Sequence, residues 1–149
     1  MAARLRVSLL ALGLPLVLTA LTGCGRMREI STCRALVRET NPMLDQIEAL
    51  SKKPAADQQA RADQQAHMAK LYTQLAKRVR PHAAGPTTLA AAVKDYAGIL
   101  DATGTALKNQ AEATRSGTFG RTTELRRELD RLVKRERAAV TRLETECHS

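Results

Sequence analysis

Residues 86–117 read PTTLAAAVKDYAGILDATGTALKNQAEATRSG, and this stretch decides the fold class. Apolar and small side chains recur in it at alternating steps of four and three residues, the spacing of the buried face of a bundle helix. The members of this row are Leu89, Val93, Tyr96, Leu100, Thr103, Leu107, Ala111 and Thr114. Pro86 in the first turn and Gly117 after the last are typical of helix ends. We therefore predict one amphipathic helix here.

Three further segments of similar length flank this helix, separated by turn residues at 53–54, 81–86 and 116–120. The first segment has an apolar row of Ile30, Cys33, Val37, Leu44, Ile47 and Leu50, and the last has Leu125, Leu129, Leu132, Val133, Ala139, Val140, Leu143 and Cys147. Only 2% of the residues are aromatic, and Ala, Leu, Gln, Arg and Glu favour helices over strands. The sequence predicts an all-α, up-down-up-down four-helix bundle.

Two places in this pattern are irregular. Asn41-Pro42 resembles an N-cap followed by a first-turn proline, so we expect the first helix to kink or to restart there. The second segment has a clear apolar row only in its later half, at Met68, Leu71, Tyr72, Leu75 and Val79. Its earlier half, residues 55–65, is rich in Ala and Gln and is expected to be frayed or loosely packed.

The N-terminus has the features of an export signal. Arg4 and Arg6 precede an uncharged apolar run over residues 7–21, which is shorter than the roughly 20 residues of a membrane-spanning helix. The run ends in Leu21-Thr22-Gly23-Cys24, which resembles the lipobox of bacterial lipoproteins. An ordinary secreted protein, or an uncleaved anchor with an incidental cysteine, is the alternative interpretation.

The lipoprotein resemblance implies a chain in three parts. Residues 1–23 form a signal peptide that is removed, residues 24–29 a lipidated linker, and residues 30–149 the bundle domain. Cys24 receives a diacylglyceryl group, and two acyl chains give stable membrane anchoring. By analogy with the sorting rule of enterobacterial lipoproteins, Gly25 after the cysteine points to the outer membrane, with the protein facing the periplasm.

Two cysteines remain after Cys24 is assigned to the lipid. Export places Cys33 and Cys147 in an oxidising compartment, where an even pair is most simply a disulfide. A metal pair or a reactive thiol is the alternative, but neither cysteine has the neighbours that such sites need. An up-down-up-down bundle brings the start of its first helix beside the end of its fourth, so the predicted fold and the predicted disulfide agree.

A polar layer is predicted in the middle of the bundle. Glu136 falls at the centre of the apolar row of the fourth helix, where a carboxylate must find partners or remain protonated. Counted from the end of the bundle with the disulfide, Asn41, Tyr72 and Tyr96 lie at about the same level. The layer is either a structural network that fixes the register of the helices or, less commonly, a ligand-binding or catalytic site.

The basic residues suggest a surface that faces a membrane. The net charge is +9, and it falls to +7 if Arg4 and Arg6 leave with the signal peptide. A predicted cluster at the anchored end consists of Arg26, Arg28, Arg34, Lys77, Arg78 and Arg80, and it would face anionic headgroups. The alternative is that cations at the end of the second helix simply stabilise its dipole.

The opposite end of the bundle carries a second set of candidates: Lys52, Lys53, Arg115, Phe119 and Arg121. Phe119 is the single Phe of the chain and lies in a turn. It either anchors a partner protein or, as is more usual, folds back to close the end of its own bundle.

The sequence favours binding over catalysis. It contains no nucleophile motif, phosphate loop or paired catalytic carboxylates, and its three His residues are scattered, so no metal, cofactor or enzymatic activity is predicted. Export and the scarcity of aromatic residues argue against nucleic acid as a partner. We expect a membrane-anchored envelope lipoprotein that acts as a protein-interaction or scaffold module. The alternative is a helical bundle that binds an anionic envelope component.

Overall fold

The computed structural model describes the backbone of residues 7–148 and the side chains of residues 27–148. The four α-helices are α1 (Val7–Ser51), α2 (Gln58–Val79), α3 (Thr88–Arg115) and α4 (Phe119–His148), and a 3-10 turn at Arg80–Ala83 follows α2. No strand occurs among residues 7–148. The predicted all-α four-helix bundle is confirmed.

Local signals explain where the helices begin and end. Asp57 caps α2 by accepting a hydrogen bond from the backbone N–H of Ala60 at 2.7 Å, and Thr87 caps α3 in the same way. Gly117, with φ of +67°, follows the last turn of α3 and lets the chain reverse into α4 within a few residues. Such short connections make consecutive helices antiparallel neighbours.

Helix α3 is the centre of the bundle. Every residue of its predicted row is buried, and so are many small residues on its other faces, among them Ala90, Ala97, Gly104 and Ala113. The most extensive interface joins α3 to α2, and the next joins α3 to α4. By contrast, α1 lies mainly against α2, and α1 and α4 contact each other little.

Helix α1 differs from the prediction in two ways. It continues without interruption through Asn41 and Pro42, so the helix does not restart there, and a kink stays a prediction. Its buried residues are also rotated from the expected row: Leu36 and Met43 are buried, whereas Val37 is 56% exposed. The prediction that Val37 is buried was wrong, because the side of α1 that faces α4 is not covered by that helix. The predicted linker, residues 24–29, lies within α1 as well.

The glutamine-rich start of α2 is helical from Gln58 and is tied to its neighbours by side-chain hydrogen bonds, so the predicted fraying is wrong there. Gln64 donates to the backbone carbonyls of Leu50, in the last turn of α1, and of Lys53, just after that helix. Gln58 donates to the carbonyl of Thr114, whose hydroxyl donates to Gln65 at 3.0 Å. Side-chain amides replace apolar contacts here, so the segment is ordered with few large apolar groups.

The predicted disulfide closes one end of the bundle. Cys33 of α1 and Cys147 of α4 are bonded, with a Cα–Cα distance of 5.9 Å. We call this end of the molecule the disulfide end, and the opposite end, at the α1–α2 and α3–α4 connections, the distal tip. Within the described part of the chain, no helix has the length and apolar character needed to cross a membrane.

Candidate binding clefts

A cleft of about 710 Å³ opens between α1 and α4 at the disulfide end. We call it the α1–α4 cleft. Residues of α1, α4 and one tyrosine of α3 line it: Ile30, Cys33, Arg34, Leu36, Val37, Arg38, Thr40, Asn41, Leu44, Tyr96, Val140, Leu143, Glu144, Cys147 and His148. It exists because α1 and α4 are joined at the disulfide and contact little elsewhere.

The walls of this cleft are apolar side chains that the bundle does not cover. Val37 is 56% exposed and Ile30 is 42% exposed, both on α1. Leu44, Val140 and Leu143 are partly buried at the edge of the hydrophobic core. Exposed aliphatic groups gathered in a concave surface indicate a place for a ligand or partner.

Glu136, which was predicted to lie in a polar layer inside the bundle, lies beside this cleft. It is partly buried and lines a neighbouring cleft of about 570 Å³ together with Tyr72 of α2. Val140 and Glu144 line both clefts, so the two adjoin along α4. Burial raises the pKa of Glu136 above its ordinary value of 4.5, because the low-polarity surroundings disfavour the charged carboxylate.

Both predicted tyrosines lie within electrostatic reach of Glu136. Burial, and secondarily the charge of Glu136, raises the pKa of Tyr72 to about 12. Burial raises the pKa of Tyr96 further, again with a smaller effect from Glu136. Both phenols are therefore protonated donors at neutral pH. The structure thus brings together three of the four residues of the predicted layer.

Asn41 is not part of that layer, and the layer is not a hydrogen-bonded network. Asn41 is exposed on α1 and reaches only the α1–α4 cleft. Among the described side chains, no hydrogen bond joins Glu136 to Tyr72, Tyr96 or Asn41. Asn41 and Glu136 are kept apart because α1 and α4 contact each other little, so Asn41 faces the α1–α4 cleft.

The predicted basic cluster is divided between different neighbours. Lys77 and Arg78 are exposed at the end of α2, where Arg78 lies near Glu39 of α1, while Arg80 forms an ion pair with Asp101. Arg28 is exposed on α1 and Arg34 lines the α1–α4 cleft. The side chains of Arg26 and Cys24 lie outside the described residues. A membrane-facing role for these residues stays a prediction.

At the distal tip, Phe119 does not fold back onto the bundle. It is 82% exposed at the first residue of α4, so the interpretation that it closes its own bundle is wrong. It borders a cleft of about 360 Å³ formed by the starts of α2 and α4 and the end of α3, and Arg61 and Arg126 also line this cleft. We call this surface the distal-tip cleft.

Sequence reasoning missed two features of these surfaces. Arg38 lines the α1–α4 cleft, and its spacing from Arg34 and Asn41 along α1 is the signal that could have placed it. His82, in the 3-10 turn after α2, contacts Glu39 of α1 at 3.1 Å, a link between segments for which the sequence offers no signal.

No group of three or more His, Cys, Asp or Glu suited to a metal ion occurs among the described residues.

A scan against protein-family models, a search of curated proteins and a search of solved structures each give no match to this chain. The fold and clefts define it as a small helical bundle closed by a disulfide between its first and last helices.

Proposed function

We propose that this protein is a lipid-anchored lipoprotein of the bacterial envelope that works by binding a partner protein and not by catalysis. The lipobox ending at Cys24 and the disulfide typical of exported proteins support the location. Gly25 favours the outer membrane, facing the periplasm. The observation that carries the binding role is Phe119, which is 82% exposed at the distal tip.

The position of Phe119 suits a contact made away from the membrane. Anchoring through Cys24 would hold the disulfide end near the bilayer, since Cys24 precedes Cys33 by only nine positions in the same helix. Helix α4 begins at Phe119 and spans its 30 residues to reach that end, a length of about 45 Å at 1.5 Å per residue. The tip is therefore the part that a protein in the periplasm meets first.

The chemistry of the tip indicates an acidic partner surface with an apolar pocket. Lys52 and Arg115 are already paired within the bundle, with Glu48 and Asp63. Four other cations near the tip have no carboxylate within 4.0 Å among the described residues: Lys53, Arg61, Arg121 and Arg126. Phe119 shares its cleft with two of these cations, Arg61 and Arg126, and aromatic and Arg side chains are common anchors of protein interfaces.

In-cell crosslinking of a C-terminally tagged protein tests this proposal, with mass spectrometry of the proteins recovered. We expect one dominant envelope protein for the native sequence and its loss in Phe119→Ser. The matched control is Val133→Ser, which removes an exposed aliphatic group from the same helix, away from the tip. Recovery of the same protein from both variants would contradict a role for Phe119, and recovery of no protein would contradict the interaction module itself.

A second candidate function is the binding of an anionic envelope component by the bundle. The α1–α4 cleft favours it, because the cleft combines apolar walls with Arg34 and Arg38. This function needs no contact at the distal tip, so the two candidates respond to different substitutions.

A further inference from the structure

We propose that the α1–α4 cleft is a binding site for a single-chain amphiphile with an anionic headgroup, such as a fatty acid or a lysophospholipid. This inference rests on the second candidate function and names its ligand class. It is independent of Phe119 and the distal tip.

The size and shape of the cleft suit such a molecule. Its volume of about 710 Å³ falls within the roughly 300–1,000 Å³ usual for small-molecule sites. It follows α1 from Ile30 to Leu44, which is about 21 Å at the helical rise of 1.5 Å per residue. An extended acyl chain can lie along this length between the two helices.

Apolar side chains face one another across the cleft. Val37 and Leu44 of α1 form one wall, and Val140 and Leu143 of α4 form the other. Covering them with a hydrocarbon chain removes apolar surface from water on both walls, which is the main driving force for binding a lipid. Val37 loses the most contact with water when the chain binds, because 56% of its surface is exposed in the free protein.

The charges along the cleft determine which end of the ligand is recognised. Arg34 and Arg38 lie one helical turn apart on α1, and neither has a carboxylate within 4.0 Å among the described residues. Two guanidinium groups at this spacing suit a carboxylate or phosphate. Glu144 lines the opposite wall with His148, and its carboxylate repels an anion from α4 towards the α1 edge.

Tyr96 supplies an independent indication of a ligand. This residue is only 4% exposed and lines the cleft from α3. Its hydroxyl makes no hydrogen bond to a described residue. Every fully buried side-chain oxygen or nitrogen in this part of the chain has a hydrogen-bond partner, so the Tyr96 hydroxyl is not fully buried. The hydroxyl therefore reaches the cleft, where it can donate to an ester or carboxyl oxygen of the ligand.

The disulfide makes a helical peptide a poorer fit. At Cys33 and Cys147 the Cα atoms of α1 and α4 are 5.9 Å apart. Because Cα atoms lie about 2.3 Å from a helix axis, the two axes are at most about 10.5 Å apart here, which is the spacing of two helices in direct contact. A third helix therefore cannot pass between α1 and α4 at this end. A hydrocarbon chain is thin enough to enter a cleft that is closed at one end.

The first experiment identifies the occupant in the cell. A small diazirine-bearing residue is placed at position 37 of the full chain, the cells are irradiated, and the intact mass of the purified protein is measured. A mass increase equal to that of a single-chain lipid supports the proposal. A polypeptide adduct at position 37, or no adduct, overturns it. The same residue at position 119 is the control, since a protein adduct there reports on the distal tip alone.

The second experiment defines the headgroup. The full chain in phosphatidylcholine nanodiscs is photolabelled with diazirine forms of a fatty acid, a lysophosphatidic acid and a neutral fatty alcohol of the same length. We expect labelling of α1 and α4 by either anionic probe, reduced about tenfold by Val37→Glu, which places a charge against the chain. The control Phe119→Glu introduces the same charge at the distal tip and should leave labelling unchanged.

Two further variants separate anion recognition from nonspecific partitioning. Replacing Arg34 and Arg38 together by Gln should reduce labelling by the anionic probes to the level of the alcohol. Tyr96→Phe should weaken labelling by the lysophosphatidic acid probe, which contains an ester, without changing the fold. The proposed site is overturned if the alcohol labels the native protein as strongly as the anionic probes do. It is also overturned if Val37→Glu leaves labelling by the anionic probes unchanged. The relative labelling by carboxylate and phosphate probes shows which anion the site prefers.

Discussion

Gly104 of α3 lies against Thr73 of α2 so closely that a Cβ at position 104 would stand 2.7 Å from the Thr73 hydroxyl oxygen. The same Cβ would be 3.1 Å from the backbone carbonyl oxygen of Ala69, which accepts the hydrogen bond of that hydroxyl. This is a close approach of two helix backbones, and it lies within the most extensive interface of the bundle. The small residues of α3 therefore serve to bring α2 and α3 together.

Substitution of Gly104 by Ala should destabilise the protein. The new methyl group displaces Thr73 and presses on the backbone of α2, and overpacking of this kind costs about 1–3 kcal/mol. Gly98→Ala is the matched control, since its Cβ would meet nothing within 4 Å, and it should stabilise α3 by about 0.5–1 kcal/mol. Urea unfolding followed by circular dichroism measures both. Equal effects of the two substitutions would contradict the close approach.

Removal of the disulfide should weaken the whole bundle. The double substitution Cys33→Ser and Cys147→Ser releases a constraint between residues 114 positions apart, and loss of a native disulfide typically costs about 2–5 kcal/mol. The measurement is the urea midpoint of the native chain with and without a reductant. The doubly substituted chain should not respond to the reductant. If the native chain does not respond either, the disulfide contributes no stability.

Glu136 should make the protein less stable as the pH rises. Its pKa in the folded state is raised by burial, so the folded state binds a proton more tightly than the unfolded state does. The contribution of Glu136 to folding stability is therefore most favourable at pH values below 4.5, the ordinary pKa of this carboxyl group. It is lost as the pH rises through the higher folded-state pKa.

Two substitutions test this pH dependence. Glu136→Gln removes the titrating group, so the difference in stability between the native chain and this variant should grow from acid to neutral pH. Glu136→Leu should stabilise the protein by about 1–2 kcal/mol at neutral pH through apolar burial. Denaturant unfolding at several pH values is the measurement. A pH-independent difference between native and Glu136→Gln would show that the carboxylate is not destabilised in the fold.

Gln64 should hold the end of α1 against α2. Its side chain donates to the carbonyls of Leu50 and Lys53, so Gln64→Ala should cost about 0.5–1.5 kcal/mol for each bond lost. Amide hydrogen exchange should accelerate over residues 48–57. Gln59→Ala is the control, because Gln59 bonds only to Asp63 of its own helix. Equal exchange in both variants would exclude an anchoring role for Gln64.

The parts of the fold that sequence reasoning predicted are those where one physical effect dominates. The row of α3 was predicted residue by residue, because a central helix must bury its apolar groups whatever surrounds it. Cys33 and Cys147 were paired by combining the compartment with the topology. Glu136 was placed beside Tyr72 and Tyr96 by its position along the helix, which depends only on the rise per residue.

The errors concern relations between helices that helical periodicity does not encode. Val37 fits an apolar row but faces an open cleft, since the distance between α1 and α4 depends on the packing of both helices against α2 and α3. The start of α2 lacks large apolar groups, and the hydrogen bonds of Gln58, Gln64 and Gln65 depend on distant carbonyl and hydroxyl groups. The sequence left two interpretations of Phe119 open, exposed or folded back, because its exposure depends on the path of a short turn.

The bond between Cys33 and Cys147 turns almost the whole described bundle into a covalent ring. A protease that cuts the connection after α1, α2 or α3 opens this ring but releases no fragment, because both pieces remain joined through the two sulfur atoms. A nicked molecule would keep its mass apart from one added water. Apart from this added water, only reduction followed by separation would reveal the cut, so the backbone can be interrupted at any of these connections while the molecule remains one covalent unit.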